Sequence, residues 1–230
     1  MALTLHIGNK RYSSWSMRPW VLLKALDIPF EEKLHLFKPN VPHQTQFRTF
    51  SPTGKVPTLY HDDLTICDSL AIMEYIAEDY PAAWPRDRKA RAFARSAVAE
   101  MHSSFPAVRE QLTMNVALRI DIGTPDPALQ REIDRVEELW NEGLSTFGGP
   151  WLAGAEFTAA DAFWSPVAVR FDGYGIKLRG PAADYAKRLL EHPAVVQWVK
   201  DGRREKERLE KYETEIPLAG GRKLLADLSE

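Results

Sequence analysis

Hydrophobic and polar positions change their rhythm about a third of the way along the chain. Up to residue 80, short apolar runs alternate with helical patterns. Leu3-Thr-Leu-His-Ile7 alternates at period two, which predicts a strand. A polar loop, Gly8 to Ser16, leads to Arg18-Pro19-Trp20 and an apolar stretch, Val21 to Leu26, that stops before Asp27-Ile28-Pro29. This predicts a helix with Pro19 in its first turn, where a missing amide hydrogen is not needed. Glu32 to Leu36 predicts a second strand, parallel to the first because a helix lies between them. Val56-Pro-Thr-Leu-Tyr60 and Leu64-Thr-Ile-Cys67 flank the hairpin-like His61-Asp-Asp63. Asp68 then precedes Leu70, Met73, Ile76 and Ala77, the spacing of a buried helical stripe.

Past Tyr80-Pro-Ala-Ala-Trp-Pro85 strand signals vanish, and the two prolines make 81–87 the natural linker. Ala90, Phe93, Ala97, Met101, Phe105, Val108 and Leu112 predict one long helix over 88–118, bent at Pro106. Leu129 to Phe147 marks a second, ended by Gly148-Gly-Pro150, and 157–171, 181–191 and 193–204 supply three more. Residues 213–230 show no strong pattern and read as a loosely attached tail. The division is therefore 1–80, a sheet domain; 81–87, a linker; 88–212, an all-helical bundle; 213–230, a tail. The class is α+β.

Composition narrows the setting. The 230 residues are 44% hydrophobic and 27% charged, with a formal net charge of −2, so no field favours nucleic acid or an anionic membrane. No apolar run is long enough to span a bilayer, and Met1-Ala-Leu-Thr-Leu-His lacks the pattern of a secretory leader. One cysteine, Cys67, excludes an intrachain disulfide and any thiolate-cluster metal site, which suits a reducing cytoplasm. His6, His35 and His61 are not spaced as metal ligands, and no metal is expected. The run Arg203 to Lys211 mixes signs, as a solvated helical face does.

Three short segments carry candidate chemistry. Pro57 opens a strand, where it cannot donate to a ladder. The Val56-Pro57 bond is either an ordinary trans link or a cis bond that turns the Val56 backbone outward to a ligand. Asp68 and Ser69 fall at a helix start, where free amides and the positive end of the dipole suit a carboxylate. There Asp68 either caps the helix or holds an ammonium group. Tyr12-Ser13-Ser14-Trp15-Ser16 places hydroxyls at another helix start, for capping or for donation to an anion.

Together these segments resemble the cytosolic glutathione transferase superfamily. Gly54-Lys-Val-Pro-Thr-Leu59 is similar to its cis-proline strand entry, and Asp68-Ser-Leu-Ala-Ile72 to its ligand-binding turn. Ser13-Ser-Trp-Ser-Met-Arg18 looks like the serine loop of the zeta class and other serine-type members. Phe157-Thr-Ala-Ala-Asp161 resembles the family's capping box, with Thr158 and Asp161 as its pair, and His192 to Trp198 the usual last helix.

The resemblance implies a thioredoxin-like N-terminal domain, βαβ then ββα, before the helical one. It implies that Val56 and Pro57 face the cysteinyl part of glutathione, and that Asp68 and Ser69 hold the γ-glutamyl ammonium and carboxylate. Lys55, and less directly His43 and Gln44, would serve the glycyl end. Ser14 is the first choice to stabilise the thiolate, Ser13 the second and Tyr12 a distant third. Trp15, Met101, Phe105 and Arg109 would line the electrophile pocket, although Met101 and Phe105 also suit a core. Trp15 stands where zeta members have cysteine, which counts against maleylacetoacetate-type isomerisation and thiol transfer.

The implied activity is conjugation of glutathione, as co-substrate, to a small, largely apolar electrophile in detoxification. A glutathione-dependent isomerase or dehalogenase, or a non-catalytic binding module, is the alternative. A cytoplasmic homodimer is implied as well.

Overall fold

Leu3, Leu5 and Ile7 bury their side chains, so the first strand, β1 (Leu3–Ile7), becomes an inner strand of the main sheet. The computed structural model describes residues 3–230; Met1 and Ala2, which bear on the leader reading, lie outside them. β2 (Phe30–Leu34) runs parallel to β1, and β3 (Thr58–His61) runs antiparallel on its other side. β4 (Leu64–Cys67) completes the order β2-β1-β3-β4. Asp62 takes the hairpin turn at φ 55°. β2 starts and ends two residues earlier than the pattern suggests. Its register puts Phe30 opposite Leu3, and the charged residues Glu31, Glu32 and Lys33 mark it as a solvated edge.

Helix α1 (Ser14–Ala25) is buried on nearly every side from Ser14 to Leu23, because α2 (Ser69–Asp79) and two later helices pack against it. It begins earlier than its apolar run, so Pro19 falls in the second turn rather than the first. The proline thereby removes the amide that would bond the Trp15 carbonyl.

The helical half consists of α3 (Arg88–Ser103), α4 (Pro106–Gln111), α5 (Pro127–Phe147), α6 (Ala159–Gly173), α7 (Gly180–Glu191) and α8 (Pro193–Arg204). The single helix expected over 88–118 is two helices and a strand. Phe105 adopts φ 65° and starts a new helix with Pro106 as its first residue. The Arg109 guanidinium takes the carbonyls of Met101, His102 and Ser104 at the end of α3. The Glu132 carboxylate accepts the amides of Ala107 (3.2 Å) and Val108 (2.8 Å) at the start of α4. Those side chains satisfy the groups that the break exposes.

The tail is not loosely attached. β5 (Leu118–Asp121) pairs antiparallel with β6 (Lys223–Asp227), so the helical half also carries a two-stranded ribbon. Glu205 accepts the amides of Lys10 (2.7 Å) and Arg11 (3.2 Å), and the buried Arg11 donates to the Arg203 carbonyl and to Ser229 Oγ, both at 3.0 Å. The segment after α8 thus crosses back over the loop that precedes α1.

One apolar core runs through both halves. Trp20 on α1 meets Trp198 on α8 edge-on, ring centroids 5.3 Å apart. The capping box of α6 is formed: Asp161 Oδ2 accepts the Thr158 amide at 2.8 Å, while Oδ1 accepts the Leu152 amide (2.9 Å) and the Tyr185 hydroxyl (2.8 Å). Among the described residues, no helix is long and apolar enough to cross a membrane.

Candidate functional site

The loop from Gly8 to Ser13 turns the chain from β1 into α1 through bonds from the Tyr12 (3.2 Å) and Ser13 (2.8 Å) amides to the Asn9 carbonyl. Its hydroxyls are then committed differently. Ser13 is the N-cap: its Oγ accepts the Ser16 amide at 3.3 Å and donates to Ser16 Oγ at 2.7 Å. Ser16 Oγ in turn accepts the Gly8 amide at 3.1 Å. The Tyr12 hydroxyl donates to Glu213 in a short contact and accepts the Leu209 amide at 3.2 Å, while its ring stacks on Tyr212. Burial and the Glu213 hydrogen bond push the Tyr12 phenol well up. Both protons are spent, that of Ser13 on Ser16 and that of Tyr12 on the tail.

Ser14 is arranged otherwise. Its Oγ accepts a bond from Arg170 Nη2 at 3.0 Å, and among the described residues its own hydrogen has no acceptor. A hydroxyl carries one hydrogen and two acceptor sites, so this oxygen remains able to donate.

The turn ahead of α2 is linked to Trp15 through His102 and Arg18. Asp68 adopts φ 79° and caps α2, Oδ1 accepting the Leu70 amide at 2.8 Å, while Oδ2 lies 3.5 Å from His102 Nε2. Capping therefore occupies one carboxylate oxygen only. Ser69 is fully buried, and its Oγ accepts from Arg18 Nη1 at 3.1 Å. The Arg18 guanidinium lies 4.1 Å from the ring centroids of both Trp15 and Phe163. Arg109 approaches the Trp15 ring at 5.1 Å, and His102 meets it edge-on at 5.2 Å. Burial pushes Arg18 well below its ordinary value, Arg109 and Arg170 add repulsion, and Asp68 partly opposes them. Burial also lowers Arg109, with Glu132 opposing, and lowers His102, with Asp68 opposing.

The Val56-Pro57 peptide is cis. Val56 lies against Gly8, where an added Cβ would come within 3.1 Å of Val56 Cγ2 and 2.8 Å of the Phe37 ring. A side chain at position 8 would thus push apart the serine loop and the proline turn. Lys55 and His43 expose their side chains, and Gln44 spends its amide on Lys38 and Val41. Among the described residues, no hydrogen bond ties any of these three to the serine loop.

Met101 and Phe105 belong to the core and do not form an open wall. They are 2% and 3% exposed, and Phe105 packs edge-on against Trp164. Arg109 does reach Trp15, but chiefly as the brace of α3 described above. Arg170 and His102 belong to no motif in the sequence, and Arg18 enters only as the end of the serine loop motif. A lone charge in the mostly apolar stretch Ala162 to Phe171 is the signal for Arg170.

Models of the glutathione S-transferase N-terminal and C-terminal domains match residues 12–79 and 91–201. The chain belongs to the glutathione S-transferase family. It is 27% identical over 175 residues to glutathione S-transferase 1 of Dianthus caryophyllus, covering 72% of this chain and 76% of that one. Maleylacetoacetate isomerase of Rattus norvegicus is 28% identical over 170 residues, with the same coverage. A glutathione transferase homolog from Burkholderia, solved with bound glutathione, superposes with a TM-score of 0.65 at 26% identity, over 88% of this chain and 99% of that one. The sheet half and helical half of this glutathione transferase are thus the parts that those relatives share.

Proposed function

We propose that this glutathione transferase binds glutathione between the Val56-Pro57 turn and the Asp68-Ser69 helix start, with the thiol directed at Ser14. Asp68 Oδ2 would receive the γ-glutamyl ammonium and Ser69 the adjoining carboxylate, beside Arg18. The observation that carries this reading is the Ser14 hydroxyl, whose oxygen accepts from Arg170 while its hydrogen stays free. That hydrogen is donated to the thiolate.

A free thiol with a pKa of about 8.5 is mostly protonated at neutral pH, and lowering it by two units takes about 2.7 kcal/mol. A charge-assisted hydrogen bond at a helix start supplies energy of that order. The thiolate then attacks the electrophilic carbon of a small, largely apolar second substrate, held near Trp15, and binding aligns the two. Trp15 in place of cysteine favours transfer over isomerisation, and a serine braced by a buried cation favours catalysis over mere binding. A cytoplasmic homodimer acting in detoxification, with the Asp68 edge near the interface, follows from the family resemblance alone; light scattering that finds a monomer removes the dimer.

Ultraviolet absorbance of the glutathione complex across pH tests the site. Ser14→Ala is expected to leave only a few per cent of the thiol ionised at neutral pH and to cut turnover of a panel of electrophiles about a hundredfold. No binding at millimolar glutathione would sink the ligand assignment, and an unchanged thiolate signal would sink the role of Ser14.

A further inference from the structure

Arg170 sits on α6, in the helical half, and Ser14 opens α1, in the sheet half. Arg170 is buried, at 8% exposure, and among the described residues no carboxylate pairs with its guanidinium. One nitrogen, Nη1, donates to the Leu112 carbonyl in a short contact and lies 3.5 Å from the Arg109 carbonyl. The other, Nη2, donates to Ser14 Oγ at 3.0 Å. Arg109 repels it, as it repels Arg18; Asp68 faces Arg18 and Glu132 faces Arg109, while the groups that favour the Arg170 charge are the phenols of Tyr174 and Tyr212. A buried cation without a counter-ion is costly, and an arriving anion relieves that cost.

The bonds also fix a direction. A guanidinium has donors only, so Arg170 compels the Ser14 oxygen to accept and turns the Ser14 hydrogen away from itself. Bracing the end of α4 would account for Nη1. It does not account for a second nitrogen aimed at one hydroxyl of the sheet half.

We propose that Arg170 is a positioning residue for thiol activation. It orients the Ser14 hydroxyl toward the glutathione sulfur, and its positive charge stabilises the thiolate through that hydroxyl. The inference rests on the glutathione-site reading above. The proton lost by the thiol leaves to solvent; Arg170 keeps its own throughout. Burial lowers Arg170 only to about 10, so it is charged at neutral pH.

The test is the pH titration of the bound thiol, by ultraviolet absorbance of the full-length protein with glutathione and no electrophile. Arg170→Gln is expected to raise the thiol pKa by about one unit, a roughly tenfold loss of thiolate below the pKa. Turnover of a nitroaryl chloride at neutral pH falls in kcat by a similar factor and recovers at high pH, with KM for glutathione within about twofold. Arg170→Lys, which keeps the charge and loses the fork, restores part of the ionisation. In a Ser14→Ala background Arg170→Gln adds no further shift, because its path runs through that hydroxyl.

Arg170→Met, which keeps the aliphatic stem, serves the same measurement where the glutamine variant does not fold. A variant that loses thermal stability yet leaves the thiol titration of the complex unmoved overturns the proposal, as does a shift that persists undiminished without Ser14. Wild-type protein that leaves glutathione unbound overturns the site reading and this inference with it. An ionised thiol in the wild type beside a silent Arg170 variant overturns this inference alone.

Discussion

Helix α6 carries two buried ionisable side chains, and the protein provides for them in opposite ways. Asp161, in the first turn, receives the Leu152 and Thr158 amides and the Tyr185 hydroxyl, and its partners lie within the helical half. Burial raises its carboxyl and these hydrogen bonds oppose the rise. Arg170, near the other end, has two carbonyls and one serine oxygen, no carboxylate, and cationic neighbours. A closed set of partners holds a fold in place. An open set, at the seam between the two halves, is where we propose that a ligand's charge completes the arrangement.

The largest expected effect lies on the closed side. Asp161→Ala strands the Leu152 amide and the Tyr185 hydroxyl and should cost about 4 kcal/mol in denaturant unfolding. A loss below about 1 kcal/mol would break the contrast at its structural end.

Next comes a histidine pair that burial keeps from charging: His6 Nδ1 lies 2.9 Å from His35 Nε2, and the two rings stack. Burial first, then His35 and Lys33, lower His6 from 6.5 to about 4. Below pH 6.5 the unfolded chain takes up a proton that the folded one refuses. Stability is therefore full above that pH and lost as pH falls toward 4, by about 3 kcal/mol. Urea unfolding at pH 7 and at acid pH should show this part of the loss disappearing in His6→Phe.

The open side should respond in activity. Ser14→Ala is expected to reduce turnover at neutral pH about a hundredfold, equivalent to about 2.7 kcal/mol, while leaving unfolding within about 1 kcal/mol of wild type. Ser13→Ala, one residue away, should do the reverse, lowering stability by about 1 kcal/mol through its lost cap and retaining turnover. Equal kinetic losses at the two serines would mean that the hydrogen-bond pattern does not distinguish them.

Much of this architecture was legible locally. Period-two alternation at Leu3–Ile7, the hairpin at Asp62 and the stripe after Asp68 are short-range patterns, and each became the element that it suggests. The capping box needs only residues three apart. The break at Phe105 was hidden because Met101, Phe105, Val108 and Leu112 keep helical spacing across it and bury the same core. The ribbon of β5 and β6 joins segments a hundred residues apart, and β6 has mostly exposed side chains, so no local signal marks it. Within the site, the serine loop and Asp68-Ser69 turn were readable as motifs. The Arg170 to Ser14 bond spans 156 residues, and only packing α6 against α1 creates it.

The bridge from Glu205 to the loop before α1 joins residues 195 apart in sequence. During synthesis, at roughly 5–20 residues per second, the sheet half leaves the ribosome well before that carboxylate exists. The serine loop is thus among the first segments to emerge and among the last to be braced. A nascent chain holding every sheet residue still lacks the carboxylate that supports the loop where we place thiol activation, so on that proposal competence waits on translation of the segment beyond α8.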